Sequence, residues 1–259
     1  MKMHFFGCSF TDGGGLDDFD YYNYNTGKNY NIKDDKKEEH EAVGLYKEEH
    51  RYSNIVGNLL NIEIENYAFG CNSNEAILKK VFEIVNDSKT SKDDIFFIQI
   101  SFLSRKFYWY EPTEEFLSIN ASGTADWPFR NREIMMPLHE LHNLNLKYAH
   151  NEQYELDKLL MNIELYNAYF KEKGIKIFWT TWPDLTLEEW PTIIFEINEK
   201  LIEKFPNILM YDGGCMGRYV CDNKLQIKDD FKKSTDAHKS LKGHQEIAKK
   251  IVEFLKEKI

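Results

Sequence analysis

The sequence predicts an α/β fold, a three-layer α/β/α sandwich around a five-stranded parallel sheet that carries two large loop insertions. Three observations predict it. Five short segments are built largely of apolar residues, as strands covered on both faces of a parallel sheet tend to be. Segments with the helical spacing of apolar residues stand between them, and alternation of this kind implies right-handed crossovers with helices on both faces. A length of 259 residues, 42% of them hydrophobic and 15% aromatic, suffices for one substantial core. No internal repeat or tandem-domain linker divides the chain, so residues 1–259 are read as a single domain.

The first strand is His4-Phe5-Phe6, and Gly7 permits a sharp backbone departure at its end. Residues 12–50 are polar and without sustained period, which predicts an insertion with at most short helical pieces. A helix over 51–60 sets Tyr52, Ile55, Val56, Leu59 and Leu60 on one face, and Ile62-Glu63-Ile64-Glu65-Asn66-Tyr67 is the second strand. Asn72 or Ser73 caps a helix carrying Ala76, Ile77, Lys80, Val81, Ile84 and Val85. Residues 94–100 form the third, central strand, and 102–151 a second irregular insertion. Period returns over 152–173, closed by Gly174 past the last turn. A fourth strand over 175–180, a helix near 187–205, a short strand over 208–211 and a terminal helix over 240–258 complete the order.

A formal charge of −10, with no cluster of Lys and Arg standing clear of acids, argues against nucleic acid as a partner. No stretch is long and apolar enough to cross a bilayer, and Met1-Lys2-Met3-His4 runs into a strand without a signal-type hydrophobic region. A cytoplasmic protein is therefore expected. Cys8, Cys71, Cys215 and Cys221 lack CxxC pairing, which fits reduced thiols.

Chemistry is expected where Ser9 stands in the loop after the first strand, since carboxyl ends of strands in open parallel sheets usually hold the site. Serine is a poor nucleophile at neutral pH without a base. A base is available in Asp236-Ala237-His238, just ahead of the terminal helix, where a carboxylate could orient an imidazole that accepts the serine proton.

Three motifs in this order, Gly7-Cys8-Ser9-Phe10-Thr11, Asn66-Tyr67-Ala68-Phe69-Gly70 and Asp236-Ala237-His238, resemble those of the SGNH (GDSL-like) hydrolase family. The resemblance implies a flavodoxin-like sheet of strand order 2-1-3-4-5. It also implies Ser9 as nucleophile, the Ser9 and Gly70 N–H groups as oxyanion donors, and His238 as base with Asp236 behind it. The chain departs from the family pattern at three points. Cys8 replaces the usual Asp; the spacing Asp236-x-His238 is one residue short; and the Gly-x-Asn-Asp motif after the central strand is absent, with Ile98-Gln99-Ile100-Ser101-Phe102-Leu103-Ser104-Arg105 in its place. An Asn of that motif is the family's third oxyanion donor. Asn72 is favoured to replace it because it follows Gly70 in the same loop, with Gln99, Ser101 and Arg105 as further candidates for that donor and for contact with substrate.

The function this implies is a cofactor-independent serine esterase or acylhydrolase, acting on a small O-acyl ester. The acceptor could be a carbohydrate, since Trp182 and the aromatics of the insertions could stack on sugar rings. The expected partner is thus a small-molecule or glycan ester. The rival is a non-catalytic glycan- or protein-binding protein that retains the SGNH fold. His139 and His142 could share a helical turn, but no fitting third and fourth metal ligands accompany them. His244 is expected to pack or cap at the start of the terminal helix.

Overall fold

Strand β1 (Lys2–Phe6) is buried from its second residue onward because it lies inside the sheet, between β2 (Glu63–Asn66) and β3 (Ile95–Ile100), and pairs with both in parallel. The structure, a computed structural model, describes residues 1–14, 16, 37–70, 72–110, 115–119, 132–181, 203–211, 214–229 and 234–259. Within its helices and strands the side chains of residues 37–41, 109–110, 115–118, 132–137, 139, 152, 227–229 and 234–238 lie outside that description. Strand β6 (Lys176–Thr181) pairs with β3, and β7 (Ile208–Leu209) with β6, both in parallel. Counting only the strands of this sheet, the order is 2-1-3-4-5.

Alternation along these strands divides the core into two layers. Met3, Phe5, Phe97 and Phe178 face one way, against Tyr52 and Val56 of helix α3 (Tyr52–Leu60), Val220 of α7 (Met216–Asp222), and Ile247, Ile251 and Leu255 of α8 (Leu241–Lys256). Phe6, Phe96, Ile98 and Trp179 face the other way. They meet Ile77 and Val81 of α4 (Asn74–Val85) and Leu156, Ile163 and Phe170 of α6 (Glu152–Lys173). Ser73 caps α4 by accepting from the Ala76 N–H, Ser240 caps α8 through the Gly243 N–H, and Gly174 ends α6 at φ 70°. Trp179 is fully buried and its indole N–H donates to Asn167 Oδ1 at 2.9 Å. Trp179→Phe is expected to lower stability by about 1–2 kcal/mol, from lost volume and the lost indole hydrogen bond, with Asn167 Oδ1 still accepting from Asn207 Nδ2 at 3.1 Å. Urea denaturation measures this.

Where residues of the two insertions are described, they hold regular elements their composition does not suggest. Residues Lys37–His50 form helix α2, in the stretch expected to hold only short helical pieces. Its sequence is rich in Glu and Lys, good helix formers that need no apolar stripe, and Lys47 pairs with Asp12 at 2.7 Å. The second insertion contains an antiparallel hairpin, β4 (Lys106–Tyr110) with β5 (Glu115–Ile119), and helix α5 (Arg132–Tyr148). The aromatic run Phe107-Tyr108-Trp109-Tyr110 is a strand because aromatic residues suit a pleated surface. Pro137, disfavoured within helices, hid α5. Near the C-terminus β8 (Gln226–Asp229) and β9 (Ser234–Lys239) form a second hairpin, so Asp236 and His238 stand on a strand rather than in a loop. Most of the helix expected over 187–205 lies outside the described residues, as do Cys71 and Trp182. Among the described residues no helix is long and apolar enough to cross a membrane.

Candidate active site

Ser9 opens helix α1 (Ser9–Asp12), a single turn that starts where β1 ends. Cys8 is its extended N-cap residue, whose carbonyl accepts the N–H groups of Thr11 and Asp12 at 2.9 and 3.0 Å. As the first helical residue, Ser9 has an N–H to which the helix itself offers no acceptor. Gly13, at φ 94°, stops the turn. Gly7 answers a different constraint, the closeness of the turn to the strand. A Cβ there would stand 2.2 Å from Thr11 Oγ1 and 3.1 Å from Gln99 Cβ.

Below α1 lies a buried chain of polar groups. The Tyr52 hydroxyl donates to Thr11 Oγ1 at 2.9 Å, and Thr11 donates in turn to Gln99 Oε1. Gln99 Nε2 faces Cys8 Sγ at 3.7 Å. Burial pushes the Tyr52 phenol well above its ordinary value, so it remains a donor. The Tyr52 backbone N–H donates to His244 Nδ1 at 3.1 Å, which requires that nitrogen to be unprotonated. His244 is fully buried and stacks on Tyr52. It is spent on holding α3 against α8.

Gly7 also ties the second loop to the first. Its carbonyl accepts the Phe69 N–H at 3.3 Å and the Asn72 side-chain amide at 3.2 Å. Asn66 Nδ2 reaches Thr11 O at 3.3 Å and Ser53 Oγ at 3.0 Å. The third loop joins through Arg105, whose Nη1 donates to Asn72 O at 3.4 Å and to Ser101 Oγ at 2.8 Å. Asn74 brackets Ser101, accepting its N–H at 2.7 Å and donating to its carbonyl at 3.2 Å. The carboxyl ends of β1, β2 and β3 thus carry one hydrogen-bonded assembly around Gly7.

Within this assembly Ser9, Gly70 and Asn72 are partly exposed, whereas Gln99, Ser101 and Arg105 are buried. The buried three brace the loops from beneath, a role composition alone does not distinguish from substrate contact. An amide nitrogen has two N–H donors, so the bond from Asn72 to Gly7 leaves its second donor for another acceptor. Cys8 is fully buried in the core, away from any approach by solvent.

The backbone of β9 returns to α1 from the far end of the chain. Lys239 pairs with Gln226 and Asp236 with Ile227, so one step on β8 spans three on β9, and Ala237 and His238 form a bulge between these pairs. A bulge breaks the two-residue alternation of a strand and re-aims what it carries. Lys239, directly after His238, is fully buried and its Nζ donates to the carbonyl of Phe10, directly after Ser9, at 2.6 Å. The same ammonium lies 5.3 Å from the Phe10 ring centre and 5.2 Å from that of Tyr52. Burial pulls it down to about 7 from the ordinary lysine value.

Lys239 and Asn74 carry no signal in the sequence that marks them for this region, whereas Phe69 lies within the second motif. Phe69, beside Gly70, leaves 53% of its surface exposed. His142 is buried with its ring edge-on to Tyr108, and the His139 side chain lies outside the described residues. Among the described residues no three His, Cys, Asp or Glu side chains are placed to hold a metal ion.

No protein-family model and no curated protein matches the chain. Solved structures do. The chain is similar to a member of the lipolytic protein G-D-S-L family from Veillonella parvula DSM 2008, at 11% identity and a TM-score of 0.52 over 98% of this chain and 97% of that one. It is also similar to the psychrotrophic esterase EstA from Pseudoalteromonas sp., at 9% identity and a TM-score of 0.51 over 99% and 97%. At such identities the likeness is one of fold.

Proposed function

We propose that this chain, which has the fold of G-D-S-L lipolytic proteins and esterases, is a divergent serine ester hydrolase of the SGNH type with Ser9 as its nucleophile. The observation that carries the reading is the contact of Lys239 with Phe10. It joins the residue after His238 to the residue after Ser9, across most of the chain, at the carboxyl end of β1. Open parallel sheets bind their ligands at such a strand end, where the order of strands reverses.

In this mechanism Ser9 Oγ attacks the ester carbonyl as His238 takes its proton, with Asp236 orienting the imidazole. The developing oxyanion is met by the N–H groups of Ser9 and Gly70 and by the second amide N–H of Asn72. His238 returns the proton to the departing alcohol, leaving the acyl group on Ser9. A water molecule, deprotonated by His238, then attacks the acyl carbonyl; the bond to Ser9 Oγ breaks as that oxygen takes the proton back from His238, and the acid is released. No step calls on a metal or an organic cofactor. We assign a small O-acyl ester as substrate, with a carbohydrate acceptor supported by the exposed Phe69 ring, an apolar face beside Gly70 on which a sugar could stack.

Labelling by a fluorophosphonate tests the reading directly, because it requires an activated serine. The adduct is expected on the peptide containing Ser9, located by mass spectrometry; a protein that stays unlabelled is a binding module rather than an esterase. Asn72→Ala removes the proposed third oxyanion donor. It is expected to lower kcat on a short-chain nitrophenyl ester by about 10²-fold with little change in KM. An equal rate would return Asn72 to a role in loop packing alone.

A further inference from the structure

Lys239 is placed where a lysine is costly. It is fully buried beneath α1, its ammonium lies on the rings of Phe10 and Tyr52, and its reach to the Phe10 carbonyl is 2.6 Å. A long aliphatic side chain would fill the same volume without desolvating a charge. What an aliphatic chain could not do is hold the carbonyl of the residue that follows Ser9. We infer that Lys239 is a positioning residue, a strap that fixes the first turn of α1 against strand β9 and so sets the approach of Ser9 to His238. The inference rests on the reading of Ser9 and His238 as nucleophile and base.

The strap acts at both ends on short pieces of chain. Helix α1 is a single turn, and the Phe10 carbonyl belongs to its second residue. On the other side, Lys239 is the last residue of β9, adjoining the bulge at Ala237 and His238, and its pairing with Gln226 fixes the strand on that side. Loss of the strap would leave Ser9 held through the Thr11, Tyr52 and Gln99 chain but free to tilt relative to β9. Small displacements of a nucleophile from its base are expensive in rate.

Lys239 also has a thermodynamic signature. Its titration in the folded chain, lowered to about 7, lies below the 10.5 of an exposed lysine, so folding expels its proton between these values. The cost of the buried charge is complete below about pH 7 and fades as pH rises toward 10.5, so this group makes stability climb with pH across that window. Among the described residues, the groups that face it include Cys8 just past β1, the Phe10 ring and carbonyl on α1, and Tyr52 on α3, with His244 of α8 behind Tyr52. Tyr52 stays neutral through the same range, since burial raises its titration.

The experiment compares the wild-type chain with Lys239→Met, which keeps length and removes the charge. First, wild-type protein is labelled with a fluorophosphonate; no adduct on Ser9 ends the nucleophile reading itself, independently of Lys239. With the adduct in place, Lys239→Met is expected to lower both the labelling rate constant and kcat about 10-fold or more, with KM within about twofold. At pH 6 the variant is expected to melt at a higher temperature than the wild type, and that advantage is expected to shrink as pH rises to 10. A variant that labels and turns over at the wild-type rate overturns the inference. So does one that fails to fold or melts lower at pH 6, since Lys239 would then be a contact that holds the fold together.

Discussion

Ser9→Ala is expected to reduce turnover of a short-chain nitrophenyl ester by about 10⁶-fold, to a residue sustained by binding and the oxyanion donors alone. His238→Ala is expected to do nearly as much. The decisive measurement is the double variant. When two groups act as one unit, removing the second after the first costs little, so Ser9→Ala with His238→Ala should be no slower than either alone. Additive losses would mean that the two residues do not act on the same step. Asp236→Asn discriminates further: a loss of about 10⁴-fold is expected if Asp236 sets the tautomer of His238. A loss below about tenfold would identify a Ser9–His238 dyad. Circular dichroism of each variant should match the wild type, because Ser9 is partly exposed and sits on a turn held by other side chains.

Gly7→Ala is the second large effect, and it begins as a steric one. The added methyl would stand 2.2 Å from Thr11 Oγ1 and 2.8 Å from Thr11 Cβ, with Gln99 Cβ at 3.1 Å on the other side. None of these can retreat easily, since Thr11 is hydrogen-bonded to both Tyr52 and Gln99 within a fully buried chain. The turn must therefore lift from the strand, at a cost of about 3 kcal/mol, toward the upper end for overpacking. The same movement disturbs the Gly7 carbonyl, which holds Phe69 and Asn72. Activity is expected to fall about 10²-fold even where the chain still folds. A urea midpoint and kcat within error of the wild type would show that the turn has more room than these distances allow.

The sheet was legible because its inner strands are written largely in apolar residues, while β2 shows the alternation of Ile62 and Ile64 with Glu63 and Glu65. The order His4-Phe5-Phe6, Ile95 to Ile100 and Ile177 to Thr181 leaves little alternative to a covered parallel strand. Helices α3, α4, α6 and α8 were legible for the same reason, through their caps and apolar faces. Segments whose order comes from other sources were not. Helix α2 rests on Glu and Lys propensity and on the ion pair of Lys47 with Asp12, which joins residues 35 apart. The β8–β9 hairpin is polar, so nothing in Ser234 to Lys239 announces a strand. For the site, Ser9, Gly70, Asp236 and His238 could be named from motifs. The roles of Gln99 and Lys239 could not, since whether an amide faces substrate or braces a loop depends on packing from α3 and α8. Gln99 points to the same side as Phe97, toward Tyr52, and is closed over by Thr11.

The Lys239 to Phe10 contact spans 229 positions of the chain. Translation makes Phe10 long before Lys239, with strands β2, β3, β6 and β7 all produced between them. Closing so long a loop is slow and cannot begin before its far end exists. The turn that carries Ser9 therefore waits for its contact with Lys239 until the strands between them have been made.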